Sequence, residues 1–385
     1  MDFRFTPEEE AFRQEVQVFL KKEVPREVLE NYEGYEGYEI DREFQKKLAA
    51  RGWLTLAWPK EYGGKGATHI EQLIFAEELA YFGAPGGPGI AQSIVGPMLM
   101  LVGNEKQKQQ WLPKIASGET EFGLGYTEPG AGSDLASLQI RAEEQGDFFV
   151  INGHKIFQTR QHVADYVWLA ARTDPNAPKH RGISLFIVDL KSPGISIAPM
   201  WTLGGGRTNA VYYDNVRVSK ENLVGEKNMG WYHLAQALQF ERSGIGRLAI
   251  AQRIFDQLVI YCKETGLGKE PTVRQRLGHL AAEIDAGRLM AYRVAWQQQQ
   301  GNYNMPYEAS MSWLWTGYQA QHVADIGMQI LGLRWQLKQG SKGAALMGLL
   351  EWLYRETLRW SIGGGTRQIQ KNIIAQRGLG LPRGS

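Results

Sequence analysis

The chain has 385 residues, with 43 Lys plus Arg against 41 Asp plus Glu. At 43% hydrophobic and 22% charged residues it has the profile of a globular protein, which excludes a mainly disordered chain. Its net charge of +2 gives no electrostatic reason to expect a nucleic-acid partner. One cysteine, Cys262, excludes an intrachain disulfide and a cysteine metal cluster and predicts a reducing, cytoplasmic setting.

In chain order, the sequence changes character twice. Residues 1–122 read as a helical domain. Thr6-Pro7-Glu8-Glu9-Glu10 is a helix start: an N-cap hydroxyl, proline in the first turn and acids at the positive end of the dipole. Phe12, Val16, Phe19 and Leu20 follow at helical spacing. The start of the chain lacks the basic and apolar segments of a signal peptide, and no run of about 18 apolar residues predicts a membrane span.

Residues 123–225 read as strands. Phe148 to Ile151, then Asn152-Gly153, then Ile156-Phe157 predicts a hairpin turning at Asn-Gly. Tyr166 to Ala171, Ile183 to Leu190 and Ala210 to Val218 are further β-rich runs. Residues 226–385 return to helical pattern. Leu248, Ala251, Phe255, Leu258, Val259 and Cys262 make one stripe, and longer helices are predicted near 273–299, 307–331 and 344–361. A β-block between two helical blocks is an α+β arrangement and argues against a doubly wound sheet.

Three segments could carry chemistry. Tyr126-Thr127-Glu128-Pro129-Gly130-Ala131-Gly132-Ser133-Asp134 combines hydroxyls with glycines that let backbone approach a ligand. Asn152 to Thr159 sets an aromatic ring, Phe157, two residues before a threonine, suited to stacking on a flat ring and bonding its edge. Trp360 to Gln370 places three glycines before Thr366, which looks like an N-cap. By residue type alone, each also reads as plain structure: a glycine-rich turn, a hairpin with Phe157 in the core, and a helix corner. The seven histidines show no metal-ligand spacing, so no metal site is predicted.

Taken together, the order and spacing of these segments resemble the acyl-CoA dehydrogenase family of flavoenzymes over essentially the whole chain. The Tyr126 to Asp134 run is highly specific to that family. Gly363 to Gln370 and Asn372 to Ala375 match its C-terminal signature. The resemblance implies an N-terminal helical domain, a middle β-barrel and a C-terminal four-helix bundle. It implies FAD between barrel and bundle, with part of each site supplied by a neighbouring subunit. Tyr126, Thr127, Phe157 and Thr159 would meet the flavin ring. Gly132 and Ser133 would line the flavin and the CoA path. Gln329 and Gly332 would reach a neighbour's FAD, and Thr366 and Gln368 would contact the pyrophosphate and adenosine. An acyl-CoA substrate, an electron-transferring flavoprotein as acceptor, and a homotetramer or α2β2 heterotetramer follow from the same resemblance.

Two departures from the family matter. Many members carry the base that removes the α-proton in a Glu-Gly-Thr triplet, but here the triplet is Gly364-Gly365-Thr366. Other members use an acid-arginine pair on a C-terminal-domain helix, and Glu241-Arg242 matches it. Glu241 also stands four residues before Ile245 and seven before Leu248, on what would be one apolar stripe where burial would raise a carboxylate's pKa toward that of a working base. A helix-start glutamate paired with arginine on a solvated face is the plain alternative. Glycine still has a backbone N–H, so Gly364 is expected to remain the donor to the thioester carbonyl. Gly363, Gly364 and Gly365 leave room for a branched, aromatic or cyclic acyl group, with Arg242 at the substrate. The second departure is the family's Arg-x-x-Phe-Gly segment, whose arginine grips a neighbour's FAD. Cys262 to Lys269 stands there instead, with Glu264 near the arginine position. Two other functions remain compatible with the sequence: a flavin monooxygenase of the same fold, and a partner subunit of a heteromeric acyl-CoA dehydrogenase.

Overall fold

The computed structural model describes residues 4–24, 41–237, 243–303 and 305–382. Helices come first: α1 (Pro7–Glu23), α2 (Arg42–Ala50), α3 (His69–Tyr81), α4 (Gly96–Val102) and α5 (Glu105–Ala116). The Thr6 hydroxyl accepts from Glu9 N at 3.2 Å and the Glu9 carboxylate accepts from Thr6 N at 2.9 Å, a reciprocal cap of the kind the sequence predicts. Thr68 and Glu71 cap α3 the same way.

Eight strands follow: β1 (Phe122–Gly125), β2 (Arg141–Gln145), β3 (Phe148–Lys155), β4 (Tyr166–Arg172), β5 (Ile183–Asp189), β6 (Ile195–Trp201), β7 (Arg207–Ser219) and β8 (Leu223–Val224). They form one sheet in the order β6-β7-β3-β2-β4-β5-β8, with β1 added in parallel to β4. Among the described residues the edge strands β6 and β8 are not paired with each other.

The chain ends in helices α6 (Gly230–Ala237), α7 (Ile245–Glu264), α8 (Pro271–Gln299), α9 (Pro306–Leu331), α10 (Leu349–Trp360) and α11 (Arg367–Ile373). Cys262 is buried in their core, at the end of the predicted α7 stripe. Helix α3 joins two cores. Its Ile70, Leu73 and Ile74 pack with the C-terminal helices, while Phe75 and Leu79 pack with α1 and α2. Among the described residues, no helix is long and apolar enough to cross a membrane.

The predicted Asn152-Gly153 turn is not a turn. β3 runs straight through it, and the hairpin closes at Gly146-Asp147, with Gln145 paired to Phe148. Asn152-Gly153 is a bulge in the pairing of β3 with β7. Gly153 has φ +140, and a Cβ there would stand 2.9 Å from Ile140 Cγ1, so glycine is what lets β3 pass β2. The opposite strand bends with it: Asn215, at φ +52, donates its N–H to Asn152 Oδ1 at 2.8 Å.

At the end of β3 lies a buried ion pair. Lys155 is fully buried and donates to Glu128 Oε1 at 2.9 Å and to Tyr126 O at 2.8 Å. Glu128 also accepts from the N–H of Gln139 at 2.6 Å and of Ile140 at 3.0 Å. Burial pushes the Lys155 ammonium down to about 8, against the opposing pull of Glu128. Lys155→Met removes the ammonium and leaves the carboxylate buried. The expected cost is about 3–5 kcal/mol, read as a lower unfolding midpoint; an unchanged midpoint contradicts this role for the pair.

Candidate functional site

Tyr126 and Thr127 leave the end of β1, and Phe157 to Thr159 leave the end of β3. Ile156 N donates to Thr127 O at 2.9 Å, so these two exits lie side by side. The structure therefore brings Tyr126, Thr127, Phe157 and Thr159 together at one end of the sheet. Tyr126 is buried, and burial pushes its phenol upward.

Phe157 is neither on a strand nor in the core. It sits just past β3 in the left-handed region, at φ +55, and is 59% exposed. A phenylalanine in this region is uncommon and persists only where surrounding bonds hold it. Asn209, fully buried on β7, supplies them. Its carbonyl accepts from Gln158 N at 2.9 Å and its Nδ2 donates to Gln158 O at 2.8 Å. Arg207 Nε donates to Asn209 Oδ1 at 2.9 Å, so the amide is fixed from both sides. No local pattern pointed to Asn209, because its partner lies 51 positions away.

Glu128 and Ala131 bond each other's backbone at 3.1 Å both ways, closing a tight turn before Gly132 and Ser133, which are exposed. A Cβ at Gly130 or Gly132 would meet nothing within 4 Å, so the space beside this backbone is open.

The glycine loop after α10 gathers a second group of predicted site residues. Gly364 has φ +75, and a Cβ there would stand 2.4 Å from Cζ2 of Trp313 on α9. Arg247 of α7 covers that same indole at 3.7 Å and donates to Gly363 O at 3.3 Å and Trp360 O at 3.0 Å. The Gly364 carbonyl accepts from Gln370 Nε2 at 3.2 Å, whereas its N–H has no acceptor among the described residues. Trp313 Nε1 is likewise buried without a partner. Thr366 caps α11 as predicted, accepting from Ile369 N at 3.3 Å, and Gln368 is exposed on that helix.

Other predicted residues do not join this group. Helix α11 packs on α9 near Tyr318 and Gln321, which Arg367 touches. Gln329 and Gly332 stand at the far end of α9, about 20 Å along the helix from Tyr318 at 1.5 Å per residue. Both are exposed. Glu264 ends α7 in solvent, and the guanidinium of Arg334 lies 3.5 Å from Tyr261 OH one turn earlier.

Glu241 and Arg242 lie outside the described residues. The stripe argument for Glu241 needs correction. Helix α7 begins at Ile245, and Gly244 before it is left-handed at φ +72. The one unbroken helix that the stripe reading assumes is therefore interrupted at Gly244. Gly244 presses on α9, where its Cβ would stand 2.5 Å from Thr316 Oγ1, and Ser312 Oγ donates to Ser243 O at 2.5 Å. A side chain at Gly244 would break that approach, which accounts for glycine at this position.

The expectation of no metal-ligand cluster also needs correction. His279 and Glu283 are one turn apart on α8, and His322 reaches them from α9. A cavity of about 520 Å³ between α1, α3, α7 and α8 is lined by Glu77, Glu78, Tyr81, Gln252 and Arg288 among others, and holds none of the predicted site residues.

The residues present fit a flat ring with a polar edge. Phe157 offers an exposed apolar plate, and Thr127 and Thr159 offer hydroxyls that no described residue engages.

Family models for acyl-CoA dehydrogenases match the N-terminal domain over residues 6–119, the middle domain over 123–216 and the C-terminal domain over 228–379. The acyl-CoA dehydrogenase FadE26 of Mycobacterium tuberculosis is 36% identical, over 100% of this chain and 99% of its own length. A solved structure described as the Tcur3481-Tcur3483 steroid ACAD aligns at a TM-score of 0.92 with 38% identity, covering 100% of both chains. The ChsE4-ChsE5 complex from Mycobacterium tuberculosis aligns at a TM-score of 0.92 with 36% identity, again over 100% of both.

Gly364→Glu is expected to destabilise by about 2–5 kcal/mol, from left-handed backbone strain plus overpacking against Trp313. Adding Trp313→Ala should recover part of that loss. Purely additive effects in unfolding midpoints would contradict the contact.

Proposed function

The chain belongs to the acyl-CoA dehydrogenase family, and we propose that it oxidises the α,β-bond of a bulky acyl-CoA thioester with Glu241 as base. Bound FAD would supply the acceptor for the β-hydride. The Tyr126-Thr127 and Phe157-Thr159 pair of loops would hold its ring, with Gly132 and Ser133 beside it. Thr366 and Gln368 would meet the pyrophosphate and adenosine. Gln329 and Gly332 would serve a neighbouring subunit's FAD, and their distance along α9 from the α11 contact supports a site shared between chains.

Gly364 carries this reading. Its side-chain space is taken by Trp313, so a carboxylate cannot stand there without displacing the indole. The proton acceptor must then come from elsewhere, and Glu241, beside Arg242, is the position that the family resemblance supplies. The Gly364 N–H, with no described acceptor, would donate to the thioester oxygen and stabilise the charge that builds as the α-proton leaves. Gly363 leaves its side of the loop open, whereas at Gly365 the Gln370 amide takes the space, 2.7 Å from where a Cβ would stand.

The acyl group is proposed to be a steroid side chain or a comparably branched or cyclic chain. The steroid description of one similar structure and the two-protein descriptions of both support this class and an α2β2 assembly. Glu264 supports the same assembly: a carboxylate near the position of the family's FAD-gripping arginine would leave one of the two types of FAD site unfilled. An electron-transferring flavoprotein is the proposed acceptor and the cytoplasm the proposed compartment.

Glu241→Gln is expected to slow anaerobic flavin bleaching by acyl-CoA by roughly 10²–10⁴-fold while FAD content is unchanged. Bleaching at the original rate removes Glu241 as the base. Faster turnover on straight-chain than on branched or cyclic acyl-CoAs removes the bulky substrate. Purification of the chain alone with one FAD each removes the half-site assembly.

A further inference from the structure

Helices α8 and α9 carry a cluster that the proposed reaction does not use. His279 and Glu283 are four residues apart on α8, so both side chains point to one face. His322 reaches the same point from α9. His279 Nε2 lies 3.2 Å from Glu283 Oε1, and His322 Nδ1 lies 2.6 Å from Glu283 Oε2. One ligand atom from each of the three falls within 4.8 Å of the others. The base of the cluster is fixed, because Trp315 Nε1 on α9 donates to the Glu283 carbonyl on α8 at 3.0 Å. The helices therefore hold the two sides in register.

We propose that His279, Glu283 and His322 bind a zinc-class divalent cation that clamps α8 to α9. The donor set argues for the class of ion. Two imidazole nitrogens and one carboxylate oxygen suit zinc and its borderline neighbours, whereas magnesium and calcium take oxygen ligands. Zinc sits about 2.0–2.2 Å from such atoms, which asks for ligands about 3.4 Å apart in a tetrahedron. The two observed separations, 2.6 and 3.2 Å, are shorter than that figure and all three atoms lie within 4.8 Å of one another, so side-chain rotations that spread the ligands complete the set. His279 is 66% exposed, which leaves the fourth position open to water. The ion would add a further link between two helices already joined here by packing and by the Trp315–Glu283 bond, and so would stabilise the folded chain by binding it alone.

The test uses the full chain, together with any subunit that purifies with it, dialysed against a chelator and titrated with zinc chloride by calorimetry. One zinc per chain and a raised thermal midpoint are expected, with no response to magnesium. Glu283→Gln and His322→Ala should each weaken zinc binding at least tenfold and abolish the thermal shift. His279→Ala, on an exposed residue that leaves packing intact, should weaken it equally and keeps the test open if either of the others fails to fold. His154→Ala, at a histidine elsewhere, should change nothing. Absence of saturable binding overturns the proposal. So does equal binding by wild type and all three ligand variants, which would mark an adventitious ion only.

Discussion

The Glu128 carboxylate is the anchor on which the candidate flavin end of the sheet depends. It receives the Lys155 ammonium from the end of β3 and two backbone N–H groups from the entry to β2. Lys155 in turn holds the Tyr126 carbonyl. Three separate stretches of chain are thereby fixed to one buried charge. Burying both ions costs several kcal/mol each, so the pair is poor evidence for net stability. What it gives is position: neither loop can shift without leaving a buried charge unpaired.

A comparable constraint governs the glycine loop after α10. The Trp313 indole, covered by Arg247, fills the space beside Gly364. A glycine in left-handed conformation is the residue that fits there. An acid side chain at this position would have to displace a packed aromatic ring two helices earlier in the chain. In the proposed mechanism the Gly364 N–H would polarise the carbonyl while a different residue removes the proton.

Much of this was legible in the sequence where the signal was local. Capping residues, long amphipathic helices and continuous apolar strands such as β4 and β5 appear as read. β2 was missed because Arg141 to Gln145 buries only Ala142, and β6 because it carries a proline and half-exposed residues throughout. Asn152-Gly153 has the composition of a turn, but the register of β7 makes it a bulge. Periodicity placed Glu241 on a stripe that Gly244 interrupts. Glu128, Asn209 and the His279-Glu283-His322 cluster were hidden for another reason. The partners of Glu128, Asn209 and Glu283 on other elements lie 11 to 51 positions away, and no local pattern records such pairings.

In the proposed mechanism the α-proton goes to Glu241 and not to any group at position 364. Exchange of that proton with solvent reports on the base alone. The acyl-CoA carries a sulfur in place of its β-carbon, so it cannot be oxidised, and is incubated with FAD-loaded enzyme in heavy water. Deuterium should enter the α-position with wild-type enzyme and stop with Glu241→Gln at equal ligand occupancy. Undiminished exchange by the Glu241→Gln enzyme would contradict the account.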